Sequence, residues 1–116
     1  MTAEQFRRIA LSFPETAEGA HMKHPDFRVG GKIFATLAYP NEEWGMIKLT
    51  PPLQERYVKA DPRAFSPVKG AWGKAGCTSV CLKAAKVAPV RAAMEAAWGN
   101  AQMSRPLRRA GKAQGR

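Results

Sequence analysis

Between Phe27 and Tyr39 two β-type runs are separated by nothing but Gly30-Gly31. Phe27 and Val29 alternate with polar neighbours before the glycines, and Lys32 to Tyr39 resumes in β-type residues after them. Two glycines can both take positive φ, which the favoured two-residue hairpin turn demands. A hairpin here makes an antiparallel sheet the organising element, and the rest of the chain has to supply its other strands and its covering helices.

The flanking sequence does so. Thr2-Ala3-Glu4-Gln5 fits a capping box, in which the Thr2 hydroxyl and the Gln5 amide satisfy exposed backbone donors reciprocally. Phe6, Ile9, Ala10 and Phe13 then recur at helical spacing, with Arg7 and Arg8 toward water, until Pro14 ends the helix. Glu15 to Pro25 reads as a loop. Pro40-Asn41-Glu42-Glu43 is a turn and Trp44 to Leu49 a third strand. Thr50-Pro51 opens a second helix, the hydroxyl as cap and the proline where no N–H is missed. That helix turns Leu53, Tyr57 and Val58 inward and ends near Asp61-Pro62. Phe65 to Val68 is a short strand, Lys69 to Gly76 a Gly-rich connection and Cys77 to Lys83 a longer strand. A last helix, about Lys86 to Gln102, carries Val87, Val90, Met94, Ala97 and Trp98 as its buried stripe. Trp44 and Trp98 read as core. Trp72, set between Gly70 and Gly73, reads first as a lid folded back on the core and second as an exposed indole. The predicted order α-β-β-β-α-β-β-α is that of an α+β fold, an antiparallel sheet with helices packed on one face.

Charge narrows the partner. Nineteen Lys+Arg against nine Asp+Glu give a formal net charge of +10, which points to an anionic partner, nucleic acid before an anionic membrane surface. Residues 104–116, SRPLRRAGKAQGR, hold Arg105, Arg108, Arg109, Lys112 and Arg116, no acid, and Leu107 as their one large apolar residue. Such a stretch cannot bury enough surface to offset its ordering entropy, so it reads as a basic disordered tail behind a single domain at 1–103. Inside that domain no acid occurs between Asp61 and Glu95, while Arg63, Lys69, Lys74, Lys83, Lys86 and Arg91 do. The sign excludes an acidic metal buffer, and two cysteines exclude a disulfide-built mini-protein. No apolar window approaches the roughly 20 residues of a membrane span. The opening MTAEQFRR has no apolar signal segment, so a cytoplasmic location is expected.

The segments FRRIALSFPE (Phe6 to Glu15), HPDFRVGGKIFATL (His24 to Leu37) and FSPVKGAWGKAGCTSVCL (Phe65 to Leu82) resemble the MmcQ/YjbR family in the family's own order. The resemblance runs over about residues 2 to 100. It implies a frataxin-like (CyaY-like) fold, shared with secretion-chaperone domains, in a bacterial family described as DNA-binding through a double-wing arrangement of hairpins.

Catalytic chemistry finds little support. His21 and His24 precede a strand, and with no Cys or carboxylate cluster beside them two ligands do not close a zinc site. Cys77 and Cys81, four apart on a strand, lie about 13 Å from each other, beyond the ~7 Å a disulfide tolerates. They read as two small buried residues. No serine stands in a G-x-S-x-G context. Gly30-Gly31 precedes a strand, not the helix of a phosphate loop. Frataxin-like iron binding would need clustered carboxylates, and the first helix has Glu4 alone against Arg7 and Arg8. The expectation is a protein without catalysis, metal or cofactor.

The expected interface is instead a pair of basic wings: Arg28 and Lys32 about the Gly-Gly turn, and Lys69, Trp72 and Lys74 in the Gly-rich connection. Lys83 and the tail residues Arg105, Arg108 and Arg109 add to it. Lysines neutralise phosphates and an exposed indole stacks on a base. No helix combines a basic face with groove-reading residues, so binding of DNA, or of RNA, should be backbone-directed and not sequence-specific. A protein-interaction or chaperone-like module is the alternative, and a small-molecule enzyme using His21 or His24 in a cleft a weaker third. No membrane partner is expected, and the oligomeric state stays open with a monomer favoured.

Overall fold

The computed structural model describes residues 1–21 and 23–104. In chain order the elements are α1 (Ala3–Leu11), β1 (Thr16–His21), β2 (His24–Val29), β3 (Lys32–Leu37), β4 (Trp44–Lys48), α2 (Pro51–Ala60), β5 (Phe65–Pro67), α3 (Ala71–Lys74), β6 (Cys77–Cys81) and α4 (Val87–Ser104). Within the described residues the strands form one open six-stranded sheet, ordered β1-β2-β3-β4-β6-β5 and antiparallel throughout. The fold class is the expected α+β, with one more strand and one more helix than the sequence suggests.

The expected hairpin is present, with Gly30 and Gly31 at φ 58° and 81° between the paired residues Val29 and Lys32. The register slips by one residue between Phe27 and Arg28. Phe34 is thereby taken into the core beside Ala35, both without exposed surface. Residues paired across strands share a face, so Phe27, Ala35 and Ile47 line one side, as do Leu37, Gly45, Val80 and Phe65. That side meets the helices: a Cβ on Gly45 would come within 2.9 Å of the Phe6 ring of α1. Helix α4 lies beside α1, and the contact is sealed where Phe13 stacks on Trp98 at 5.9 Å and the Trp98 indole donates to Pro14 O at 3.1 Å. Helix α2 packs Leu53, Tyr57 and Val58 against the same core at the β5–β6 edge, with Tyr57 against Phe65 at 5.3 Å.

Several expectations need correction. Glu15 to Pro25 is not a loop, because β1 pairs along the whole of β2. Trp44 is half-buried on the face turned from the helices, since its neighbour Gly45 points at Phe6 and strand residues alternate. The α4 stripe is Val90, Ala93, Met94, Ala97 and Ala101, whereas Val87 is exposed and Trp98 only half-buried. The Thr2–Gln5 capping box forms. Thr50 takes the cap position of α2, but its hydroxyl makes no cap bond. Pro51 and Pro52 lack N–H groups, so fewer donors there call for one. Cys77 is buried, Cys81 is half-buried rather than core, and both are free thiols. Among the described residues no helix is long and apolar enough to cross a membrane.

Candidate nucleic-acid interface

Strand direction decides which charges meet. β2, β4 and β5 run toward one end of the sheet, and β1, β3 and β6 start from it. At that end lie the Gly30-Gly31 turn, Lys32, Lys48 opposite Cys77, and Lys69 just after Val68, whose N–H donates to Cys77 O at 3.0 Å. The short helix α3 bridges the same end, because Leu49 N–H donates to Gly76 O at 3.2 Å. Lys32, Lys48, Lys69 and Lys74 are all exposed, and among the described residues none of them has an ion-pair partner. Lys32 and Lys48 flank a cleft of about 190 Å³, with Thr50, Ala75 and Asn100 on its other walls.

Glycines hold α3 in place. A Cβ on Gly73 would sit 1.6 Å from Val68 O, and one on Gly76 would sit 1.9 Å from Leu49 O. Side chains cannot fit there, so the helix lies flush on the backbone of its neighbours. Gly70, at φ 81°, turns the chain into it. Gln54 ties it down further, its amide donating to Gly73 O and Cys77 O at 2.9 Å each. With Gly73 facing inward, the adjacent Trp72 faces out and leaves 67% of its surface exposed. The lid expected from sequence is thus overturned, and the second reading of Trp72 holds.

The expected site residues divide accordingly. Lys32, Lys69, Trp72 and Lys74 come together at one end. Lys48 joins them and was missed, because only the register of β4 on β6 reveals where that strand ends. Arg28 does not act as a free cation. It reaches Asp26 through Nε at 2.8 Å and a terminal nitrogen at 3.1 Å, on the face away from the helices. The hydrogen bond to Asp26, and then its charge, push the guanidinium further above its ordinary value. Lys83 lies at the opposite end, paired with Glu43 in the β3–β4 turn at 3.3 Å. Arg105, Arg108, Arg109 and the tail they belong to lie outside the described residues.

The histidines sit at the far end too, where His21 pairs with His24 to close the β1–β2 hairpin. His24 packs edge-on against Tyr39 at 5.3 Å and does not line the lysine cleft. Among the described residues no three His, Cys, Asp or Glu side chains could hold a metal ion. No curated protein matches the chain. The sequence profile of the YjbR family matches residues 11–100, from the last residue of α1 into α4, and the chain belongs to that family.

Proposed function

We propose that the chain is a non-catalytic nucleic-acid-binding domain, without sequence specificity, that meets DNA with the end of its sheet. One observation carries this reading: four lysines that have no ion-pair partner among the described residues, Lys32, Lys48, Lys69 and Lys74, share that end with an exposed indole. Asp26, on the neighbouring strand β2, is already held by Arg28. The basic residues 105–116 add charge to the same partner, and a cytoplasmic location suits it.

Fluorescence anisotropy with short oligonucleotides tests the proposal. Binding should weaken by about 0.9 log units per log unit of salt for each lysine–phosphate contact on a duplex. Lys69→Glu with Lys74→Glu should abolish binding without changing the thermal midpoint, because both side chains are exposed. Absence of binding at tens of micromolar protein in low salt would sink the proposal.

The alternative of a protein-interaction module draws support from one other feature. Trp44 and Met46 lie half-buried on the sheet face turned from the helices. It predicts self-association or capture of a peptide on that face, and a strictly monomeric species by light scattering would weigh against the first of these.

A further inference from the structure

We infer that the polymer recognised at this end is single-stranded, with one unpaired base stacked on Trp72. The inference rests on the nucleic-acid reading above and narrows its substrate. Four lysines would serve a duplex and a single strand alike, since phosphates are the same in both. The indole distinguishes them. Within a duplex the base faces are covered by their neighbours, and a flat aromatic ring finds nothing to stack on. A single strand offers every base face, and aromatic side chains beside a basic track are how such strands are held.

The exposure of Trp72 is fixed by the backbone and does not come from a floppy loop. Gly73 and Gly76 admit no Cβ against Val68 O and Leu49 O, at 1.6 and 1.9 Å, and Gln54 bonds both Gly73 O and Cys77 O. An indole anchored this way and 67% exposed cannot retreat into the core without dismantling α3. Lys69, three residues before it, and Lys74, two residues after, are exposed cations close to it along the chain, available to the phosphates that flank a stacked base. The neighbouring Lys32–Lys48 cleft continues the basic track away from the indole.

The test compares a 15-nucleotide oligothymidine, an oligouridine of the same length and a duplex of equal phosphate number, each over the same series of low salt concentrations, against the full chain and its Trp72→Ala and Trp72→Phe variants. Both single strands should bind more tightly than the duplex and quench tryptophan emission, a quench lost in Trp72→Phe. Trp72→Ala should weaken single-strand binding roughly 10-fold or more, leave its salt slope unchanged, and leave the duplex unaffected. Trp72→Phe should recover part of that loss. A larger affinity for oligouridine than for oligothymidine would mark RNA as the source of the strand, and the reverse would mark DNA. Equal binding of strand and duplex with Trp72→Ala silent would overturn the inference while leaving the nucleic-acid reading intact. An equal loss for strand and duplex in Trp72→Ala would overturn it as well. Failure of all three oligonucleotides to bind would remove the nucleic-acid reading itself.

Discussion

The Asp26 carboxylate has no exposed surface, yet both of its oxygens accept hydrogen bonds from Arg28. Gly19 makes room for this fork, since a Cβ there would stand 3.0 Å from Asp26 Oδ1 and 3.3 Å from Arg28 Nε. A buried charge left without its partner is strongly destabilising, whereas an exposed lysine is not. Arg28→Ala should therefore lower the urea midpoint and leave the salt slope of binding intact. Lys32→Ala should do the reverse, flattening the slope and sparing the midpoint. Sequence could show that Arg28 stands beside a hairpin; it could not show that Asp26, two residues back on the same strand face, already holds it. The two cysteines divide in a similar way. Burial pushes the Cys77 thiol up, with Lys48 opposing in part. The folded thiol keeps its proton at pH values where the unfolded one has lost it, so stability should fall as pH rises past the ordinary thiol range. Denaturation at pH 7 and pH 9.5 should show a smaller alkaline loss in Cys77→Ala than in the parent. Alkylation of the native protein should label Cys81 first.

At the scale of elements, what was legible followed local rules and what was not depended on neighbours. The capping box, the glycine hairpin and the inward residues of α2 are each set within a few residues. Strand β1 reads TAEGAH, with no apolar alternation, and is a strand only because β2 offers it a full ladder at the sheet edge. Helix α3 is a single turn, AWGK, too short for any periodicity to appear. Its place is set by the contact of Gly73 with Val68, and the exposure of Trp72 with it. Gly73→Ala should cost about 2 kcal/mol or more, because the new methyl overlaps backbone that cannot yield. Gly31→Ala meets open space and suffers only its positive φ, roughly 1–2 kcal/mol. Thermal or urea denaturation of the two variants gives the order directly.

For the whole molecule, the fold class was legible because hairpin-joined strands between amphipathic helices have few other ways to pack. The candidate interface was legible in part. Composition announced a basic protein, but which lysines converge is a matter of strand direction. Lys48 was brought in and Lys83 was carried to the far end, where Glu43 meets it. Lys83→Glu with Lys86→Glu, at that far end, should change binding far less than the same reversal at Lys69 and Lys74. The difference should hold at every salt concentration where the parent binds.

The basic end spans the strands β3, β4, β6 and β5, about 14 Å from first to last at ~4.8 Å per strand, while the sheet behind it extends two strands further, to about 24 Å. The body is thus broader than its basic end. On the nucleic-acid reading, two molecules placed side by side along a straight polymer collide at their flanks before their footprints touch. Bare stretches then persist between them even at saturation, still open to a nuclease. On that reading a chain of this shape would space itself along the polymer and would not sheathe it.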